Sequence, residues 1–91
     1  MAPLVAVTDH AIDRYRQRVR GTLDARTEVV SRVATAFADG RHSPGEKGAV
    51  EVRDGDLVFV CMHDRPRGEL IVVTVWDGHT VPPWQRRHVG V

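Results

Sequence analysis

Residues 49–76 read AVEVRDGDLVFVCMHDRPRGELIVVTVW, and this stretch decides the fold. Valines alternate with polar residues in 49–53, residues 57–62 are apolar at every position, and residues 70–76 form a third, mostly apolar run. Short runs rich in β-branched and aromatic residues are typical of strands, and the intervening Asp-Gly-Asp and Arg-Pro-Arg-Gly segments are typical of turns. The stretch therefore predicts a three-stranded antiparallel β-meander with residues 57–62 as its central strand.

A first helix is predicted upstream of these strands, from His10 to about Arg20. Ile12, Tyr15 and Val19 recur at spacings of three and four residues, which places them on one face of a helix. The Thr-Asp pair at its start offers oxygens that can cap the first turn. A glycine follows its end, where a left-handed residue commonly terminates a helix.

A second helix is predicted between a capping residue, Thr22 or Asp24, and Gly40. Its broad apolar stripe consists of Val29, Val30, Val33, Ala34, Ala36 and Phe37. Residues 40–48 contain three glycines and no periodicity, which predicts a mobile loop, whereas residues 3–7 are a short apolar lead-in that could form an edge strand. The element order implies an α+β fold with two N-terminal helices packed on one face of the three-stranded meander.

A length of 91 residues is enough for one compact domain and too short for two, so we expect a single domain, residues 1–91, with a basic tail from about residue 80. Hydrophobic residues make up 42% of the chain and charged residues 27%, as in ordinary globular proteins. Cys61 is the one cysteine, so an internal disulfide is excluded and a cytoplasmic location is expected. The first residues have no basic region and no long apolar run, so neither a signal peptide nor a membrane partner is expected. The apolar strands should leave one sheet face hydrophobic, which favours a homodimer or cover by the tail.

Three chargeable residues of the first helix form a candidate site. His10, Arg14 and Arg18 follow one another at four-residue spacing, so their side chains are neighbours along one ridge. Groups of like charge at this spacing add nothing to helix stability, but such a ridge can bind an anion such as a phosphate. An ordinary solvated face is the alternative, since twelve of the thirteen basic residues are arginine and a GC-rich genome would produce the same bias.

The ridge has parts that RNA cleavage without a metal requires. A base takes the proton of the ribose 2′-hydroxyl, cations stabilise the phosphoryl oxygens, and an acid protonates the leaving oxygen. His10 could be the base or the acid, while Arg14 and Arg18 could hold the phosphate. Thr74 could donate a hydrogen bond to the same phosphate, or be an ordinary strand residue. The second proton-handling group stays open among three histidines: His42, His63 and His88.

Other residues could extend this interface. Further arginines that we expect to contact nucleic acid are Arg65, Arg67, Arg86 and Arg87. Trp76 and Trp84 could stack on bases, although packing in the core or in a lid is the alternative for both. Cys61 and His63 would suit zinc, but no second pair of ligands follows at the required spacing. We therefore expect neither a metal nor another cofactor.

Two segments resemble a known family. Residues 8–19, Thr-Asp-His-Ala-Ile-Asp-Arg-Tyr-Arg-Gln-Arg-Val, resemble the opening His-Ala-x-x-Arg-x-x-x-Arg helix of small bacterial and phage domains, largely of unknown function, that are related to RelE, ParE and BrnT toxins. Residues 70–76 resemble that family's last strand, which reads hydrophobic-Val-Thr-Val-aromatic. The wider group is similar to the barnase, colicin D and RelE nuclease superfamily of metal-independent ribonucleases.

The resemblance implies a RelE-like fold and a catalytic His10, with Arg14 and Arg18 as phosphate ligands and Thr74 as a helper. The first hypothesis is thus a toxin-type endoribonuclease that cuts RNA by 2′-hydroxyl attack, leaves a 2′,3′-cyclic phosphate and has a cognate antitoxin protein. The alternative is a non-catalytic toxin-like or phage regulatory module that binds nucleic acid or a protein target through the arginine face of the first helix. A structural subunit that dimerises through its sheet is a third possibility.

Overall fold

The computed structural model describes residues 3–77, which form five strands, two α-helices and one short 3₁₀ helix. In chain order these are β1 (Leu4–Val7), α1 (Asp9–Arg18), α2 (Ala25–Ala38), β2 (His42–Pro44), the 3₁₀ helix (Glu46–Gly48), β3 (Ala49–Asp54), β4 (Leu57–Asp64) and β5 (Glu69–Asp77). Among the described residues, neither α-helix has the length and apolar character needed to cross a membrane.

The sheet has five strands in the order β1-β5-β4-β3-β2 and is mixed, because β1 pairs parallel with β5. The predicted antiparallel meander is present as β3-β4-β5 with β4 in the centre, but the prediction of a three-stranded sheet was wrong. Residues 3–7 do supply an edge strand, β1. Residues 40–48, predicted to be a mobile loop, contain β2, which pairs antiparallel with β3. Both additional strands are short, four and three residues, so neither carries a readable periodicity.

Side-chain caps begin both helices. The Thr8 hydroxyl accepts a hydrogen bond from the Ala11 N–H at 3.1 Å, and Asp24 accepts one from the Thr27 N–H at 3.1 Å. These contacts satisfy backbone donors that have no partner within the helix. The N-cap of α1 is therefore Thr8 and not Asp9, and the N-cap of α2 is Asp24 and not Thr22. The first helix ends at Arg18, two residues earlier than predicted.

The core lies between the two helices and one face of the sheet. Helix α1 packs against β5, and α2 contacts β1 and β3. The largest fully buried side chains are Tyr15, Phe59, Leu70, Val29, Val33, Val52, Val72, Val75 and Cys61. Tyr15 stacks on Phe59 with 6.2 Å between ring centroids, and its hydroxyl donates to Glu28 Oε1 at 2.8 Å. The Tyr15 contacts thus fix α1 to both α2 and the sheet.

A β-bulge interrupts the pairing of β4 with β5. Cys61 pairs with Val72 and Val60 pairs with Thr74, so Val73 is an extra residue on β5. A bulge of this kind bends its strand and increases the local twist. The last residue of β1, Val7, pairs with Val72, directly before the bulge. Beyond that point β5 runs beside α1 without a strand on this side, as far as residues 3–77 are concerned.

Candidate nucleic-acid interface

A groove of about 420 Å³ lies between α1 and β5. One wall is formed by His10, Arg14 and Arg18, and the other by residues 73–76 of β5. We call it the α1–β5 groove. The helical wall follows from the four-residue spacing, which repeats on one side of α1. The strand wall follows from the early end of β1, which leaves this part of β5 facing the helix.

Among the described residues, the Arg14 and Arg18 guanidinium groups make their hydrogen bonds with uncharged oxygens. Arg14 Nη1 donates to Gln17 Oε1 at 3.3 Å, and Arg18 Nη1 approaches the Arg14 carbonyl oxygen at 3.5 Å. Within residues 3–77, neither guanidinium forms an ion pair, and no Asp or Glu lines the groove. The Arg18 Nε is buried and has no hydrogen-bond partner in this part of the chain. A buried donor of this kind is costly without an acceptor, so the Arg18 end of the groove favours an anionic or oxygen-rich ligand.

Arg18 also borders a second cavity, of about 350 Å³, at the far end of the groove. Arg32, Asp54 and Asp77 line this second cavity as well. Asp54 is bound on both oxygens, by Arg41 at 3.0 Å and by Arg32 at 3.5 Å. The cationic surface therefore ends at Arg18, where carboxylates begin.

Thr74 belongs to the strand wall of the groove. It pairs with Val60, whereas the next residue, Val75, pairs with the buried Phe59. Because side chains alternate along a strand, the Thr74 side chain is on the sheet face away from the helices. The hydrogen bond from Thr74 to a phosphate stays a prediction, and its hydroxyl does not lie on the same sheet face as α1.

Two of the three histidines considered as a second proton-handling group, His42 and His63, do not lie in this groove. His42 stacks on Phe37 with 4.3 Å between ring centroids, and His63 approaches the same ring edge-on at 6.0 Å. Phe37 is in the last turn of α2, and neither imidazole lines the α1–β5 groove. His88 lies outside the described residues. The structure therefore brings His10 together with Arg14 and Arg18 but not with His63.

Two of the other four arginines predicted to contact nucleic acid, Arg65 and Arg67, are separate from the groove. Arg65 and Arg67 are exposed in the turn between β4 and β5, and Arg67 Nε lies 3.7 Å from Asp64 Oδ2. Arg86, Arg87, Trp84 and the basic tail lie outside the described residues. Trp76 is half-buried and lines the groove.

No cluster of three or more metal-ligating side chains is present in the described part of the chain. Cys61 is fully buried in β4, and its burial raises the pKa of the thiol to about 12. A thiol that stays protonated is a poor metal ligand and a poor nucleophile. Cys61 is therefore a core residue in this fold.

Sequence reasoning missed the opposite side of α1. A cavity of about 430 Å³ there is lined by Asp9, Ile12, Asp13, Arg16, Asp24, Ala25 and Arg26. Arg26 Nη1 donates to the Val7 carbonyl at 2.7 Å, and its Nη2 pairs with Asp9 Oδ1 at 3.2 Å. We call this surface the acidic flank. The four-residue spacing of Asp9 and Asp13 was the available signal.

Comparison with known proteins gives a fold but no family. No family model and no curated protein matches the chain. A chain of the toxin-antitoxin complex RelBE2 from Mycobacterium tuberculosis is similar in structure, with a TM-score of 0.60 and 15% sequence identity over 85% of this chain and 99% of that chain. The likeness confirms a RelE-like α+β fold. It does not support the narrower family defined by His-Ala-x-x-Arg-x-x-x-Arg.

Proposed function

We propose that this RelE-like chain is a toxin-type protein that binds RNA in the α1–β5 groove and cleaves it without a metal ion. The observation that carries the proposal is the grouping of His10 with two guanidiniums that have no carboxylate partner within residues 3–77. Charge-assisted hydrogen bonds from arginine to phosphate are among the strongest that a protein surface offers. The similarity in fold to a chain of a toxin-antitoxin complex supports the proposed toxin-type function.

The proposed reaction uses few residues. The His10 imidazole takes the proton of the ribose 2′-hydroxyl, and the 2′-oxygen forms a bond to phosphorus. Arg14 and Arg18 stabilise the charge that develops on the phosphoryl oxygens. The bond from phosphorus to the 5′-oxygen breaks, which leaves a 2′,3′-cyclic phosphate and a 5′-hydroxyl. The leaving oxygen takes its proton from solvent, because the described residues bring no second imidazole to the groove. A missing general acid costs on the order of 10²- to 10⁴-fold in rate, so we expect slow cleavage.

The test is incubation of the purified protein with RNA in excess EDTA, followed by analysis of the products. Wild type should produce fragments that end in a cyclic phosphate, and His10→Ala and Arg14→Ala should not. His42→Ala is the matched control, since it removes an exposed imidazole outside the groove. Intact RNA in every reaction would contradict the proposed activity, and cleavage by His10→Ala would contradict the proposed base.

A second candidate function is binding without cleavage. The observation that favours it is the position of His42 and His63, which are held against Phe37 and not beside His10. A binding module would not cleave RNA. Its affinity for RNA would fall steeply with salt and would persist in His10→Ala. Arg14→Ala should weaken binding in either case.

An antitoxin partner is part of the same proposal, because a chain with a similar fold comes from a toxin-antitoxin complex. A cognate antitoxin that covers the groove should protect RNA from this protein. Co-expression with the product of the adjacent reading frame, followed by purification of the complex, would test it. Failure of that product to bind would exclude it as the partner.

A further inference from the structure

We infer that Thr8 is a positioning residue that fixes the cationic ridge of α1 at its distance from β5. This role rests on the proposed function, because it concerns the geometry of the same groove. Thr8 does not line the groove and is half-buried at the start of α1. Its effect on a ligand would therefore act through the residues that do line it.

Thr8 forms four hydrogen bonds with α1 and β5, and in one of them its carbonyl accepts from the Ile12 N–H at 3.1 Å. Its backbone N–H donates to the Val72 carbonyl at 3.0 Å, and its hydroxyl donates to the Val73 carbonyl at 3.4 Å. The same hydroxyl accepts from the Ala11 N–H at 3.1 Å. One hydroxyl thus contacts both the first turn of α1 and the strand wall of the groove.

The hydrogen bond from the Thr8 hydroxyl to β5 is made at the bulge. Val73 is the extra residue there, so the regular pairing with β4 does not include it. The Thr8 hydroxyl supplies a hydrogen-bond donor for the Val73 carbonyl. Val73 itself lines the α1–β5 groove. The end of β1, the bulge and the helix cap therefore meet at one point, which is the His10 end of the groove.

A second contact holds the same point from the side of α2. Arg26 Nη1 donates to the carbonyl of Val7, the residue before Thr8, at 2.7 Å. The chain between β1 and α1 is thus bound to β5 on one side and to α2 on the other. His10 follows Thr8 by two residues and lies in the first helical turn, where loss of a cap has its largest effect.

The experiment compares Thr8→Val with Thr8→Ser and with Asp24→Ala. Valine keeps the shape of threonine but removes the hydroxyl, whereas serine keeps it. Asp24→Ala is the matched control, because it removes the cap of α2 and leaves the groove untouched. Cleavage of a fluorescein-labelled single-stranded RNA of mixed sequence gives kcat and KM, and anisotropy on the same RNA gives Kd.

For Thr8→Val we expect kcat to fall by about tenfold or more, with a smaller change in KM, since a small misplacement of a reacting group is costly. Thr8→Ser and Asp24→Ala should both stay within about twofold of wild type, because neither displaces the ridge. If wild type binds RNA without cleaving it, Thr8→Val should raise Kd, whereas Thr8→Ser and Asp24→Ala should leave Kd close to that of wild type. A merely structural role would make Thr8→Val and Asp24→Ala lose activity in parallel.

The outcomes separate two failures. Active wild type with an equally active Thr8→Val protein would overturn the positioning role and leave the proposed function intact. Parallel loss in Thr8→Val and Asp24→Ala would also overturn it, in favour of general destabilisation. Wild type that neither binds nor cleaves this RNA would overturn the proposed function, and the positioning role with it.

Discussion

The two flanks of α1 carry opposite charge. On the side of the α1–β5 groove, no Asp or Glu of the described residues lines the groove beside His10, Arg14 and Arg18. On the acidic flank, three carboxylates face two guanidiniums, and Asp9 pairs with Arg26. Between the two flanks, the buried face of the helix packs on the core. It consists of Ala11, Ile12 and Tyr15, and we call it the seam. The carboxylates of α1 thus lie on one side of the helix, together with Arg16, and Arg14 and Arg18 lie on the other.

This separation reduces helix stability. Side chains four residues apart are neighbours, so both the cationic ridge and the pair Asp9 and Asp13 place like charges together. Such pairs destabilise a helix by about 0.2–0.5 kcal/mol each, whereas alternating signs would stabilise it by a similar amount. The arrangement places the positive charges of Arg14 and Arg18 beside β5, where they can attract an anionic polymer such as RNA.

The largest expected effect comes from reversing one charge on each flank. Arg14→Glu should weaken binding of single-stranded RNA roughly 10- to 100-fold, since a charge-assisted contact contributes about 1.5–3 kcal/mol. Arg16→Glu makes the same substitution on the same helix but on the acidic flank, and should change Kd by less than about twofold at physiological salt, where separated exposed charges are screened. Fluorescence anisotropy measures both.

Salt dependence sharpens this pair of variants. A plot of the logarithm of the association constant against the logarithm of the salt concentration has a negative slope. Arg14→Ala loses one phosphate contact and should make this slope less steep by about 0.7, whereas Arg16→Ala should not change it. Equal slopes for both variants would show that the protein uses its net charge and not the groove.

The next effect concerns the seam and should leave RNA binding unchanged. Tyr15→Phe removes the 2.8 Å hydrogen bond to Glu28 and should lower the free energy of unfolding by about 1 kcal/mol. Urea denaturation measures the loss, and anisotropy should give the wild-type Kd. If Tyr15→Phe weakened RNA binding as strongly as Arg14→Glu, RNA binding in the groove would depend on the packing of the buried helix face.

Alkaline pH tests the same residue. Burial, together with the hydrogen bond to Glu28, raises the pKa of Tyr15 from 10.0 to about 12. The raised pKa stabilises the fold fully below pH 10, and this contribution is lost as the pH rises from 10 to 12. Because the buried Cys61 also has a raised pKa, the comparison uses the Cys61→Ala background. There, the alkaline loss of unfolding free energy should be smaller in Tyr15→Phe than with tyrosine in place.

The smallest effect is expected on the acidic flank. Asp9→Asn breaks the 3.2 Å ion pair with Arg26, but the Asp9 side chain is 98% exposed, so stability should change by less than about 0.5 kcal/mol. RNA affinity should stay within about twofold of wild type, because the removed charge is on the far side of α1. A loss of affinity similar to that of Arg14→Glu would remove the distinction between the two flanks.

The sequence predicts the parts of the fold that have a long periodic signal. Residues 57–62 are apolar throughout, and they form the first six of the eight residues of the central strand β4. Strands β1 and β2 have only four and three residues, so pairing in three dimensions decides them, and β1 pairs with a strand far away in the chain. The mixed sheet was not predictable for this reason.

The same limit applies to the site. The ridge follows from four-residue spacing within one helix, so the sequence shows it directly. The strand wall depends on where β1 ends and on the bulge at Val73, which are properties of the assembled sheet. His63 was considered a partner for His10 because both are histidines, but its position beside Phe37 depends on tertiary packing.

The most direct test of RNA binding by the α1–β5 groove is a two-dimensional ¹H–¹⁵N NMR titration with single-stranded RNA. We expect the backbone signals of His10, Arg14 and Arg18, and of residues 73–76, to shift together and to saturate. Signals of Arg16 and Arg26 on the acidic flank should stay in place. Shifts confined to Arg65 and Arg67 in the β4–β5 turn, or no shifts within residues 3–77, would contradict it.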